Sequence, residues 1–418
     1  MPQKHFDWAV GVRIPEHTKE KHLVLQDYFR EYLTTRCQLP KQEKFRLVVV
    51  DAFCGGGLYE GGELGSPLLF LDELDQSAKN INTHRISQGF KPLKIECLLV
   101  LNDADQIAIE TLKKNATPFT VKVEENPNLS VEVLYLNRDF EQDYLKIKEL
   151  VQRARCSNVF FCLDQYGYSK ATPAVVRDII SSWKSSEVLL TFTFSSLLTY
   201  YSSANSSSLP ISNELRIQFE HLSDSSNLSR NEWLGRAEKI VFEELKGCAP
   251  FVSPFSINNP NGWRYWLMHF ASSYRGRQVY NDILHSHQST QVHFGRSGLR
   301  MLSYDPSNEG QLYLFDSDSR KNASDSLHSD IPKLIAESGD SLGVQEFYQL
   351  AYSETPAHSD DIHKVMMESP DIQIITDNGG ERRSANQIKS TDIIRLNNQK
   401  SFSFAFLKQP KDQRKGTV

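Results

Sequence analysis

Four short polar stretches carry the residue types that could do chemistry, and each follows an apolar run. Asp51-Ala52-Phe53-Cys54-Gly55-Gly56-Gly57 follows residues 47–50, Asn102-Asp103 follows 95–101, Asn137-Arg138-Asp139-Phe140 follows 131–136, and Asp164-Gln165-Tyr166-Gly167-Tyr168 follows 159–163. The first differs from the dinucleotide pattern G-x-G-x-x-G in placing an acid where the strand ends, which suits a ligand with a cationic amino acid part. S-adenosylmethionine is such a ligand. Its adenosine would lie across the turn at Gly55 and Gly57, with Asp51 and Phe53 at the head of that turn. Asp103 would accept from the ribose hydroxyls, Asp139 would hold the adenine amino group, and Phe140 would pack on the ring. The fourth stretch is the expected place of reaction. Enzymes that methylate exocyclic amino groups hold the NH2 with an acid or amide so that its lone pair faces the sulfonium methyl, and stack an aromatic ring on the base. Asp164 would accept from the amino group, the Gln165 carbonyl would accept a second bond, and Tyr166 or Tyr168 would stack.

Each of these residues also has a plainer reading. Asp51, Asp103 and Asp139 are all good helix or loop caps, and Gly167 is compatible with a simple strand-end turn. Cys54 and Cys162 are rejected as nucleophiles, because a reactive thiolate must be displayed beyond the strand end. His285, His287 and His293 lack the Cys or carboxylate spacing of a metal site, so no metal is expected.

Positioning these stretches requires a regular framework, and the chain supplies one. Residues 21–37 read as an amphipathic helix. The run 47–50 is β-branched throughout, as in a strand buried on both faces of a parallel sheet. Ser66-Pro67 marks a helix start, with the hydroxyl as cap and the proline in the first turn. Strands at 95–101, 131–136, 159–163 and 187–194 alternate with helices at 106–114, 144–153 and 173–182. This alternation implies right-handed crossovers and an α/β, doubly wound, Rossmann-like methyltransferase sheet with an α-rich insertion or extension. Ligands of such sheets bind beyond the carboxyl ends of the strands, where the four polar stretches fall.

Composition bounds the rest. The chain has 418 residues, 39% hydrophobic and 24% charged, which excludes wholesale disorder and suggests two or three domains. No apolar run approaches the ~20 residues of a membrane span, and residues 1–8 lack the apolar core of a signal peptide, so the chain reads as cytoplasmic and free of the membrane. Six scattered cysteines without C-x-x-C read as reduced, structural thiols. A net charge of -5 predicts no polyanion partner by itself, so any nucleic-acid surface must be local. Residues 301–380 hold four Lys/Arg against fifteen Asp/Glu, whereas 379–418 hold nine against three.

Four segments follow: a methyltransferase-like domain at 1–202, a helical, aromatic and basic region for substrate or partner at 203–302, an acidic linker at 303–342, and a small basic module at 343–418. Within the second, Trp263-Arg264-Tyr265-Trp266 and Tyr274-Arg275-Gly276-Arg277 interleave cations with rings, as in base-stacking and phosphate-contacting surfaces. Trp263, Trp266 and Phe270 equally suit a core stripe. In the last, helices at 344–352 and 360–367 precede strands at 371–376, 393–396 and 401–406, an order that resembles a winged helix. Arg382, Arg383, Lys389, Arg395 and Lys400 would be its phosphate contacts; a solvated basic tail is the competing reading.

The turn at 51–57 continuing to Gly65-Ser66-Pro67, the stretch Phe160-Phe161-Cys162-Leu163-Asp164-Gln165-Tyr166-Gly167 and the Lys21-His22 helix resemble the three-Cys-motif partner protein family. The resemblance covers residues 5–200 well and thins toward 300. It implies a Rossmann-fold, S-adenosylmethionine-dependent methyltransferase of bacteria or phages, and a protein partner carrying a three-cysteine motif of the radical type. Where family members have Asp-Pro-aromatic-Gly this chain has Gln165, which removes a rigid φ. The expectation is a methyltransferase acting on nucleic acid in a defence or modification setting. Two alternatives stand beside it: methylation of a protein, and a degenerate methyltransferase fold that binds nucleic acid or a partner without turnover.

Overall fold

The computed structural model describes residues 7–165, 170–193, 230–258, 264–287, 291–294, 298–299, 312–314 and 317–397. The chain divides into two compact units, Met1–Phe294 with Pro306–Phe315, and Gly295–Asp305 with Asp316–Val418.

In the first unit α1 (Glu16–Arg36) precedes the alternation β1 (Lys44–Asp51), α2 (Ser66–Ser87), β2 (Lys94–Asp103), α3 (Gln106–Glu124), β3 (Leu129–Asn137), α4 (Phe140–Arg153), β4 (Asn158–Leu163), α5 (Pro173–Ser182) and β5 (Ser185–Thr193). These five strands are parallel, in the order β3-β2-β1-β4-β5. The order reverses beside β1, between β1 and β4, which opens a crevice at the carboxyl ends of those two strands. Neighbouring phenylalanines of β4 serve opposite faces, as the pleat requires. Phe160 packs against Tyr28 and Phe29 of α1 and Phe70 of α2, while Phe161 packs against Trp183. Helices α4 and α5 are joined by the Tyr144 hydroxyl and Lys148 ammonium, both donating to Asp178.

The expected elements are present, with longer ends. Helix α3 continues ten residues past its expected end at 114, through Pro118. Proline costs one internal hydrogen bond, but Leu112, Ala116 and Val123 are buried, and that packing outweighs the local penalty. The Ser66-Pro67 start is displaced by one residue, because Gly65 takes the cap position.

The region expected to be helical beyond 203 instead extends the sheet. It contributes α6 (Arg230–Lys246), β6 (Phe251–Ser253), β7 (Ser256–Asn258), β8 (Arg264–Ala271), α7 (Tyr274–Ser286), β9 (Gln291–Phe294) and β10 (Leu312–Leu314). Strand β8 pairs antiparallel with β5, and the sheet grows to ten strands with β7, β9 and β10 beyond it and β6 paired to β8. Trp266, Leu267, Met268 and Phe270 of β8 are buried, so this run is a core strand.

In the second unit the expected acidic linker is α8 (Ser317–Glu337), whose Ala323, Leu327, Ile331 and Ile335 are buried at helical spacing. The acids of this stretch occupy the remaining positions, which is why composition alone read it as solvated. It is followed by β11 (Ser341–Gly343), α9 (Val344–Tyr352), α10 (Ser359–Glu368), β12 (Ile372–Ile375) and β13 (Ile393–Leu396). The three strands form an antiparallel sheet in the order β11-β13-β12. The expected strand at 401–406 and Lys400 lie outside the described residues.

Candidate functional site

A cavity of about 680 Å³ opens at the carboxyl ends of the parallel strands, within the size range of small-molecule sites. Five of the expected site residues line it: Phe53 and Gly55 after β1, Asp103 at the end of β2, and Asp164 with Gln165 after β4. Thr191 and Thr193 of β5 and Tyr265 of β8 line it from the antiparallel side, and Lys21 and His22 from α1.

The glycine turn is bound to the second strand. The Gly55 N–H donates to Asp103 Oδ2 at 2.9 Å, and Asp105 N–H to its Oδ1 at 2.9 Å. Burial nevertheless raises the Asp103 carboxyl above its ordinary range. Each carboxylate oxygen keeps a second lone pair for a ligand. Asn102 holds the loops together, its side-chain amide donating to the carbonyls of Ala52 and Arg138. Phe53 is backed by Phe140 at 5.4 Å between ring centres, and the Lys170 ammonium lies over it at 5.9 Å.

Gly55 has φ +59°, a left-handed conformation that favours glycine. The indole of Trp8 covers it: a Cβ at Gly55 would meet Trp8 at 2.6 Å, and one at Gly56 at 2.5 Å. Trp8 thus belongs to the cavity wall and rests directly on the turn. Sequence reasoning missed it, since a lone tryptophan ahead of the first helix carries no spacing signal.

Four of the expected cofactor residues, Asp51, Gly57, Asp139 and Phe140, are not on the cavity wall. Gly57 points toward helix packing, where a Cβ would meet Leu112 at 2.5 Å, and is absent from the cavity wall. Asp139 is the cap of α4, accepting from Gln142 N–H at 3.2 Å. Phe140 is buried against Phe53 and Tyr144. Asp51 is fully buried and off the cavity wall. Neither of its carboxylate oxygens makes a hydrogen bond of good geometry. Burial pushes its carboxyl up to about 7, against the weaker pull of the nearby Ser66 hydroxyl and Phe53 N–H toward the ionised form.

At the fourth strand end Asp164 is bonded to the Lys21 ammonium. Burial alone would raise its carboxyl, but Lys21, with help from Thr191, holds it below the usual carboxylate range. Asp164 is therefore an ionised acceptor. Gln165 is buried, and its Oε1 accepts from Ala171 N–H at 2.8 Å. Tyr166 and Tyr168 lie outside the described residues. His22 is kept neutral by burial and the adjacent Lys21, with its ring lowered to about 4. Lys21 and His22 read in sequence as part of an amphipathic helix; only the packing of α1 brings them to the site. Cys54 and Cys162 are buried, and burial pushes both thiols well above their ordinary range.

The expected phosphate contacts divide. Arg275 is exposed, with its guanidinium donating to Gln278 at 2.7 Å. Arg277 is fully buried, and burial pulls it down to about 9, so it is no surface contact. The side chain of Arg264 lies outside the described residues. Arg382 is a clamp: it donates twice to the buried Asp392, at 2.8 Å each. Arg383, Lys389 and Arg395 are exposed, the last donating to Gln373. Of the histidines, His285 is buried and His287 pairs with Asp27 at 2.8 Å.

No described helix is long and apolar enough to cross a membrane. A family model described as a GMT-like wHTH domain matches residues 303–379. The match includes α8, β11, α9, α10 and β12, so the winged-helix part begins about forty residues earlier than composition suggested. Among curated proteins, none matches the chain.

Proposed function

We propose that the first unit is a Rossmann-like, S-adenosylmethionine-dependent methyltransferase acting on nucleic acid held by the winged-helix part. The observation that carries this reading is the cavity itself. It lies at the crevice beside β1 and gathers a glycine turn, a ribose-competent carboxylate and an ionised acceptor carboxylate from the ends of three neighbouring strands, β1, β2 and β4. The residues fit the cofactor: Asp103 has lone pairs for the ribose, Phe53 offers a ring, and the turn at Gly55 lacks a side chain. The cofactor would supply an electrophilic methyl group. Asp164, held ionised by Lys21, would accept a hydrogen bond from the amino group of the substrate and orient its lone pair. Defence or modification, and a partner with a three-cysteine motif, are part of this reading through family resemblance.

A second reading is favoured by Trp8. Its ring occupies the face of the glycine turn, as in a site that has lost its ligand, and would make the protein a binding module without turnover. Calorimetry with S-adenosylhomocysteine separates the two. The methyltransferase reading expects binding that Gly55→Val abolishes, and labelled-methyl transfer to DNA or RNA that Asp164→Ala abolishes while leaving cofactor affinity intact. No binding to the wild type, or tight binding with no transfer to any nucleic acid or protein, leaves the binding module.

A further inference from the structure

Two buried side chains at the base of the cavity have polar atoms that the protein leaves without partners. Gln165 is 2% exposed, and because Oε1 accepts from Ala171 N–H, its amide cannot turn over without setting donor against donor. Nε2 is thereby fixed as the open end, and it has no hydrogen-bond partner. His22 is 7% exposed, and its Nδ1 also has none. The ring is neutral, so with its proton on Nε2 the buried Nδ1 is a bare acceptor. The bond between Lys21 and Asp164 joins the two sequence-adjacent pairs, so an open donor, an open acceptor and an ionised carboxylate meet in one cavity. Buried polar atoms of this kind are costly unless a ligand completes them.

We propose that Gln165 and His22 read the hydrogen-bonding edge of the acceptor base, selecting an amino-substituted edge of the cytosine or adenine type over an oxo edge. The inference rests on the acceptor-site reading above and adds to it the class of substrate. An amino base presents two N–H donors beside a ring-nitrogen acceptor. Asp164 and His22 Nδ1 accept from the amino group, and Gln165 Nε2 donates to the ring nitrogen. Uracil or hypoxanthine reverses both partners, placing a carbonyl against two acceptors and an N–H against a donor. A site built to pair with polar groups rejects such an analogue strongly, since its own groups then stay unpaired.

The test is binding of short single-stranded homo-oligonucleotides, compared in pairs of equal ring size: deoxycytidine against deoxyuridine, and deoxyadenosine against deoxyinosine. Phosphate contacts are common to both members of a pair and cancel. The wild type should prefer the amino member of at least one pair by about tenfold or more. Gln165→Glu keeps the acceptor for Ala171 and replaces the donor, so it should erase that preference. His22→Phe, which retains a ring beside Tyr59, should reduce it independently. Equal binding of both members by the wild type, no binding of any, or a preference that survives both substitutions would overturn the inference. S-adenosylhomocysteine affinity of the wild type is measured in parallel. Base preference without that affinity would sink the cofactor reading alone, and the affinity without preference would sink the edge reader alone.

Discussion

Asp51 and His22 respond to burial with opposite signs, and together they shape the dependence of stability on pH. The Asp51 carboxyl is raised from 3.8 to about 7, so the folded state holds that proton more tightly than the unfolded chain. Its contribution is complete below about pH 4 and is lost as pH rises through 7. The His22 ring is lowered from 6.5 to about 4, so its contribution is complete above 6.5 and is lost as pH falls through 4. Between pH 4 and 6.5 the two slopes oppose each other and partly cancel. Asp51→Asn removes one of them. The variant should be more stable than the wild type at pH 8, by up to the order of 4 kcal/mol at 1.36 kcal/mol per unit, and no more stable at pH 4. Urea unfolding at both pH values checks this, and a uniform offset would show that Asp51 is ionised in the fold.

At the scale of elements, the glycine turn after β1 is shaped by what rests on it. Gly55 and Gly56 accommodate the Trp8 indole, and Gly57 with φ +80° accommodates Leu112 of α3. A double-mutant cycle separates these functions. Gly56→Ala should destabilise the protein by roughly 1–3 kcal/mol through overpacking, and most of that loss should disappear in a Trp8→Ala background. Thermal melting of the four proteins reads the coupling; additive losses would mean that Trp8 does not press on the turn. In the second unit the corresponding element is the connection between β12 and β13. Its Arg382 is committed to Asp392, which leaves Arg383 and Lys389 as its exposed cations.

For the molecule as a whole, charge is a question of placement. The helix that follows α9, at Ser359–Glu368, begins with Asp360 and Asp361 and carries one lysine, Lys364. An acidic helix is a poor companion for phosphates, whereas Arg383 and Lys389 are exposed between β12 and β13. Neutralising Arg383 and Lys389 together should weaken binding of a nonspecific duplex and lower its salt slope by about two. Arg382→Ala should instead lower the melting temperature, because it strands a buried carboxylate. Titration of fluorescent duplex at several salt concentrations measures the first effect, and an unchanged slope would remove this loop from any nucleic-acid surface.

The strands and helices up to residue 193 were legible because each declares itself locally. Leu47-Val48-Val49-Val50 can be little else than a buried strand, and Ser66-Pro67 is a helix start wherever it packs. The placement of acids at strand ends was legible for the same reason, and it located Asp103, Asp164 and Gln165 at one cavity. Charge, by contrast, misled in both directions. The acidic balance of residues 301–380 hid the buried stripe of the helix at 317–337, and an aromatic-basic run that suited a base-stacking surface as well as a core stripe proved to be the buried strand Arg264–Ala271, followed by a buried Arg277. Whether a polar side chain meets ligand, caps a helix or holds another charge depends on what the rest of the chain packs beside it. Asp139 and Asp103 are equivalent in sequence, yet one caps α4 and the other faces the cavity. Lys21, His22 and Trp8 reach that cavity from far along the chain. Local propensity acts over a few residues and can be read from them; solvation and pairing are properties of the assembled surroundings, and only the tertiary structure decides them.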